Sequence, residues 1–214
     1  MSPQQFPRFY PIIDAMHFSA APDPAGAIVQ FARELLQAGA SLIQYRDKAG
    51  HARAMLSRGR ELRRAVRNRA RLIMNDRADL CLAAGFDGVH LGQDDLSPAA
   101  AHRIFQQSAQ PDLWIGFSTH NLDQLREAEP MPVHYIAVGP VFATTSKANP
   151  DPVIGLEGVR QARRITSKPL VAIGGITRQN CKSVLDAGAD AVAVLSDVVE
   201  SPRKSTEEFL RILG

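Results

Sequence analysis

Eight short apolar runs, each followed by a longer amphipathic segment, constrain the fold of this chain more than any other feature. The runs are Arg8–Ile13, Leu42–Arg46, Arg71–Asn75, Gly88–Leu91, Leu113–Ser118, Tyr135–Val138, Leu170–Ile173 and Ala191–Leu195. Most are rich in Ile, Val and Leu without strict polar alternation, which is how a strand buried on both faces reads. The segments between them carry helical periodicity: Pro24–Ala38, Ala52–Arg67, Asp79–Ala84, Pro98–Gln107, Leu122–Ala128, Glu157–Thr166, Arg178–Ala187 and Thr206–Leu213. Eight strand-then-helix units predict parallel pairing and an α/β fold, a single-domain (β/α)8 TIM barrel spanning residues 1–214. An open doubly wound sheet is the alternative, but eight near-equal units favour closure. The phrases AGASLIQ, AGFDGVHLG and AGADAVAVL add a weak internal echo, each placing glycine between a helix end and the next strand.

The chain has 214 residues, 45% apolar and 22% charged, enough for a sizeable core and too apolar for wholesale disorder. No uninterrupted apolar stretch approaches the ~18 residues of a membrane span. The opening MSPQQFPRFYPIID lacks the basic-flanked apolar run of a secretory signal. Cys81 and Cys181 stand far apart in no metal-like spacing, so neither a disulfide framework nor a zinc site is expected. A cytoplasmic location is the expectation. Much of the +3 net charge traces to Arg53–Arg71, where eight arginines occur. At 100° per residue, Met55, Gly59, Leu62 and Val66 form an apolar face. Arg53, Arg60, Arg64 and Arg67 fall opposite. Without interleaved aromatics this reads as the solvated side of a helix, and no nucleic-acid partner is expected.

Polar residues gather where the proposed strands end. Strand two ends in Gln44, Arg46 and Lys48, strand three in Asn75 and Asp76, and strand four leads to Gln93, Asp94 and Asp95. Strand five ends at Ser118; strand six leads to Thr144, Thr145, Ser146 and Lys147; Gly174 and Gly175 follow strand seven, and Ser196 follows strand eight. In a barrel these ends share one rim, the face on which active sites are built. Asp76 and Asp95 are either helix N-caps or a pair of carboxylates converging on one hard cation. Arg46, Lys48 and Lys147 beside them suit a polyanion with its metal. The double glycine suits a second anion site without metal, since backbone N–H groups approach closely where no Cβ intrudes; a tight turn is the commoner explanation of a lone glycine pair, but the placement between strands seven and eight favours the anion site. The stretch Ala143–Gly155 has the length of a functional lid or a disordered loop. His120 sits near the rim and His90 packs within strand four; neither reads as an essential base. No nucleophile motif occurs, so the ring suits departure of a diphosphate, with the nucleophile supplied by a ligand.

QYRDK from Gln44, NDRADL from Asn75, GVHLGQDDL from Gly88, GFSTH from Gly116, GPVFATTSK from Gly139, AIGGIT from Ala172 and VLS ending at Ser196 together resemble the thiamine-phosphate synthase family. The resemblance runs in order from about Tyr10 to Ser196. It implies a (β/α)8 barrel that joins 4-amino-2-methyl-5-(diphosphooxymethyl)pyrimidine to 4-methyl-5-(2-phosphoethyl)thiazole, requires magnesium, and releases pyrophosphate by a dissociative route. It implies that Gln44, Tyr45, Arg46, Asp47, Lys48, Asn75, Ser118 and Lys147 surround the pyrimidine diphosphate. Arg46, Lys48, Ser118 and Lys147 would take the catalytic roles. Asp76 and Asp95 would hold one Mg2+ per subunit. Thr144, Thr145, Ser146, Gly175, Leu195 and Ser196 would hold the thiazole phosphate. The partners implied are small-molecule substrates, with neither nucleic acid nor membrane; the oligomeric state is left open. Ser146 departs from the threonine often found there and keeps the hydroxyl. A related tautomerase group lacks the metal carboxylates and the Q-x-R-x-K pattern, both intact here. A sugar-phosphate isomerase would need an acid–base pair, for which only Asp14 offers itself.

Overall fold

A computed structural model describes residues 6–144 and 151–214. Its eight strands are β1 (Phe9–Asp14), β2 (Leu42–Arg46), β3 (Arg71–Asn75), β4 (Gly88–Leu91), β5 (Trp114–Thr119), β6 (Tyr135–Val138), β7 (Leu170–Ile173) and β8 (Ala191–Val194). All pair in parallel in chain order, and β8 pairs back to β1, so the sheet closes into a barrel without an edge. The connecting helices are α1 (Pro24–Gln37), α2 (Ala52–Val66), α3 (Ala78–Ala84), α4 (Pro98–Gln106), α5 (Leu122–Ala128), α6 (Gly155–Ile165), α7 (Cys181–Asp186) and α8 (Pro202–Leu213). This is the (β/α)8 TIM barrel expected from the strand–helix alternation. Among the described residues no helix is long and apolar enough to cross a membrane.

Two apolar clusters follow from the period-2 alternation of strand side chains. Outward residues such as Phe9, Ile13, Ile43, Leu72, Val89, Ile115, Ile136 and Val192 pack under the helices. Inward residues Tyr10, Ile12, Leu42, Ile73, Tyr135, Ala137, Val171, Ala191 and Ala193 fill the barrel. At its N-terminal end, Phe6 stacks on Trp114 at 5.4 Å and the Arg71 guanidinium lies 3.9 Å from the Trp114 ring centre. That end is a plugged floor, which leaves the opposite rim to open. On α2 the buried residues are Met55, Gly59, Leu62 and Val66, with Arg53, Arg60, Arg64 and Arg67 exposed, as the helical wheel predicts.

Two helices depart from their expected bounds. Helix α7 starts at Cys181 rather than Arg178, because Asp197 accepts from the Arg178 backbone N–H at 3.0 Å and from its Nε at 2.9 Å. Glu208 takes the same guanidinium at 2.6 Å, so residues 178–180 form a turn tied to the next unit. Helix α8 starts four residues early, with Pro202 in its first turn, where a missing N–H costs nothing.

Candidate active site

The inward side chains become polar as the strands approach the rim, and they open into a cavity of about 880 Å³. Gln44, Arg46, Lys48, Asn75, Asp76, Asp95 and Ser118 line one side of it, and Thr144, Gly175, Leu195 and Ser196 the other. The strand register brings them together: Gln44 lies beside Ile12 and Ile73, Asn75 beside His90, and Ser118 beside Ala137. A smaller cavity, about 390 Å³, lies between Phe6, Arg8, Lys182 and Asp190. Its charges are committed elsewhere, Lys182 to Asp186 and Asp190 to Arg163. Polar groups converging from many strand ends distinguish the larger cavity.

Asp14 at the end of β1 holds the Arg46 guanidinium in an ion pair and accepts the Met16 N–H at 3.0 Å. Asp14 therefore orients a cation here. One carboxylate cannot occupy all five guanidinium donors, so Arg46 retains N–H groups for a ligand. Lys48 reaches the Asp76 carboxylate at 2.5 Å. Asp76 sits at φ +63°, a left-handed conformation that redirects the chain after β3. Its backbone N–H donates to the His90 carbonyl at 2.7 Å, linking β3 to β4.

Neither aspartate caps a helix. Helix α4 is capped by Ser97, which accepts from the Ala100 N–H at 3.3 Å, and Arg77 occupies the cap position of α3. Asp95 instead accepts the Gly92 N–H at 2.7 Å and meets Asp76. Burial pushes the Asp76 carboxyl up, Lys48 opposes this, and the Asp95 carboxyl adds to the rise. Two carboxyls crowded side by side are a donor set that a hard divalent cation satisfies. Among the described residues no group of three or more His, Cys, Asp or Glu side chains is arranged around a metal position. A cation at Asp76 and Asp95 would complete its shell with water or substrate oxygens.

Beneath the rim, hydrogen bonds cross the barrel interior. The Gln44 amide donates to the Tyr10 hydroxyl at 3.0 Å, and Tyr10 and Tyr135 hydroxyls lie 2.9 Å apart. Tyr135 reaches His90 Nδ1 at 3.0 Å, and His90 Nε2 reaches Ser118 Oγ at 2.8 Å. His90 is packed within β4 as expected, yet it faces the cavity and contacts a site residue. Burial lowers its pKa from 6.5 to about 4, so the ring is neutral at physiological pH. Sequence reasoning missed Tyr10 and Tyr135 altogether. The available signal was two tyrosines at inward positions of otherwise aliphatic strands, where each buried hydroxyl needs a partner. Gln93, one of the rim residues after β4, donates its amide to the Ser118 carbonyl at 2.5 Å.

Two expected site residues lie elsewhere. Tyr45 and Asp47 alternate with Gln44, Arg46 and Lys48, so they face the helix layer rather than the cavity. Tyr45 is fully buried in the outer core and its hydroxyl donates to Asp47 at 3.0 Å. Asp47 also accepts the Gly50 N–H at 2.7 Å and Arg58 at 2.9 Å, fastening the loop that carries Lys48 to α2. Their contribution is to hold that loop. His120 sits at the rim with Nδ1 at 2.9 Å from the Gly139 carbonyl.

Gly174 and Gly175 both have positive φ, +99° and +63°. Any Cβ at Gly174 would overlap Pro140, and one at Gly175 would overlap the Ala143 carbonyl. Phe142 N–H donates to the Gly174 carbonyl at 3.0 Å, so the double glycine locks the loop after β6 against that after β7. Close packing and a bare backbone at the cavity wall are both present. Thr145, Ser146 and Lys147 lie outside the described residues, as does the middle of the Ala143–Gly155 stretch.

A model of thiamine monophosphate synthase matches residues 9–198. A thiamine-phosphate synthase of Koribacter versatilis is 54% identical over 98% of this chain and 97% of its own length. Another, from Chloroflexus aurantiacus, is 44% identical over 75% of this chain and 73% of its own. Among solved structures, a thiamine phosphate pyrophosphorylase of Pyrococcus furiosus superposes with a TM-score of 0.80 at 36% identity, covering 96% of this chain and 95% of that one.

Proposed function

The chain belongs to the thiamine-phosphate synthase family, and from that premise we propose how its residues make thiamine phosphate from the pyrimidine diphosphate and the thiazole phosphate. The observation that carries the reading is the division of one cavity into two walls. One carries Arg46, Lys48 and a carboxylate pair; the other carries bare glycine backbone and hydroxyls. A diphosphate with its metal suits the first wall, and a monophosphate suits the second.

In this reading the pyrimidine diphosphate lies along Gln44, Arg46, Lys48, Asn75 and Ser118. Asp14 holds the Arg46 guanidinium in place, so its remaining donors are already oriented when the leaving oxygens gain charge. Lys48 turns from Asp76 toward the diphosphate. The aminopyrimidine ring expels pyrophosphate, and the thiazole nitrogen captures the resulting pyrimidinylmethyl cation. No protein nucleophile is required, since the thiazole nitrogen forms the new bond. Asp76 and Asp95 would hold Mg2+, which supplies neutralisation of the departing pyrophosphate. Thr144, Gly175, Leu195 and Ser196 would seat the thiazole phosphate; the family resemblance implies that Thr145 and Ser146 join them and that Lys147 acts with Arg46 and Lys48. The whole barrel, residues 1–214, would act as one catalytic domain in the cytoplasm, where the unpaired Cys81 and Cys181 remain reduced.

The test is a coupling assay with purified protein, both substrates and magnesium, reading thiamine phosphate as its fluorescent oxidation product, beside a chelator control. Product that disappears with chelator is expected. Equal turnover in chelator would remove the metal from the reading, and no product from folded protein would overturn it.

A further inference from the structure

The hydrogen-bonded chain inside the barrel has a direction. Tyr10 is 1% exposed and Tyr135 fully buried, so neither hydroxyl can leave its hydrogen unpaired without cost. Tyr10 oxygen already accepts from the Gln44 amide, and its one remaining neighbour in the chain is Tyr135. Tyr10 must therefore donate to Tyr135. Among the described residues, the Tyr135 hydrogen then has one acceptor left, His90 Nδ1, at 3.0 Å. An imidazole that accepts at Nδ1 carries its hydrogen at Nε2, the atom 2.8 Å from Ser118 Oγ.

Resting on the functional reading above, we propose that Tyr10, Tyr135 and His90 are positioning residues that hold His90 as the Nε2–H tautomer. Ser118 Oγ then receives a hydrogen bond from below, and its own hydrogen stays free to donate to the departing oxygen of the pyrimidine diphosphate. Four strands meet at the crossing: β1 and β6 supply the tyrosines, β4 the histidine and β5 the serine. A neutral ring satisfies every donor in this chain, whereas an imidazolium would present a hydrogen to Tyr135 as well and leave the tyrosine hydrogen without an acceptor. Gln93 braces the far side of Ser118 by donating to its carbonyl. The serine is thus fixed on both sides while its hydroxyl faces the cavity.

No proton is transferred along this chain; it sets orientation. Reversing every bond would put the imidazole hydrogen on Nδ1 and make Ser118 donate to His90, leaving no serine hydrogen for substrate. The two arrangements are distinguishable without turnover. Long-range proton–nitrogen NMR on 15N-histidine-labelled protein at pH 7 is expected to place the His90 hydrogen on Nε2. A hydrogen on Nδ1, or a doubly protonated ring, overturns the proposal.

Kinetics supply the second arm. In Tyr135→Phe the loss of the hydroxyl is expected to mix the His90 tautomers and lower kcat on the order of tenfold. KM for the diphosphate should move less than kcat. His90→Gln, whose amide can still donate toward Ser118, should retain more kcat than His90→Asn. Wild-type kcat and an unmixed tautomer in Tyr135→Phe would overturn the proposal. If Tyr135→Phe fails to fold, Tyr10→Phe carries the same test from the head of the chain. Wild-type protein that makes no thiamine phosphate would defeat the functional reading instead, while the NMR result would still decide the tautomer.

Discussion

Asp76 is where charge and backbone compete most visibly. A non-glycine residue at φ +63° carries a conformational cost, and aspartate and asparagine bear it better than most. Its carboxyl crowds that of Asp95 while Lys48 offsets the repulsion. Asp76→Asn is the informative change because asparagine keeps the left-handed backbone and removes only the charge. Turnover should fall at least ~100-fold, the scale for losing a metal carboxylate. Folding stability should change by no more than about 1 kcal/mol, since the Lys48 partner is half exposed. Steady-state kinetics and a denaturant titration read the two effects separately, and near-normal turnover would remove Asp76 from the metal site. Residue identities at the rim were readable because strand ends can be counted along the chain. The facing of Tyr45 and Asp47 was not read from the motif, although strict alternation from Gln44 turns both toward the helices. A motif quoted whole mixes residues that touch the ligand with residues that hold its loop.

At the level of elements, the barrel depends on matching large to small across neighbouring strands. Gly116 on β5 stands in register with Tyr135 on β6, and the Tyr135 ring occupies the volume a side chain at 116 would need. That space lets the tyrosine reach His90. Gly116→Ala should therefore force the ring aside and cost about 1–3 kcal/mol, with the His90 hydrogen bonds disturbed. Thermal unfolding beside a crystal structure of the variant checks both; unchanged stability with Tyr135 in place would refute the packing account. Strand bounds came through in the sequence because buried parallel strands are continuous apolar runs. Helix α2 came through because its two faces differ so sharply. Helix α7 resisted because the Arg178 ties to Asp197 and Glu208 are tertiary, with no local signal. Helix α8 resisted because Pro202, which reads as a breaker, occupies the one turn of a helix where proline is accommodated.

For the molecule as a whole, closure joins residues from distant parts of the chain, such as Arg46 and Ser196, into one cavity that is built before any ligand arrives. Binding to such a cavity stabilises the native state alone, by about 2.7 kcal/mol at a ligand concentration of one hundred times Kd. For a chain of this size that corresponds to a rise in melting temperature of roughly 5–10 °C. Pyrophosphate, the released product, is the simplest probe, because on the proposed reading it would engage Arg46, Lys48 and the carboxylate pair together. With magnesium present it should raise the melting temperature clearly. With chelator the shift should shrink, since the Asp76 and Asp95 charges then oppose the anion instead of binding it through a shared cation. Asp95→Asn should remove the magnesium-dependent increment and leave the part due to Arg46 and Lys48. A pyrophosphate shift of equal size with and without magnesium would mean that the two cationic side chains alone hold the diphosphate. The carboxylate pair would then need a different explanation, with the rest of the rim unchanged.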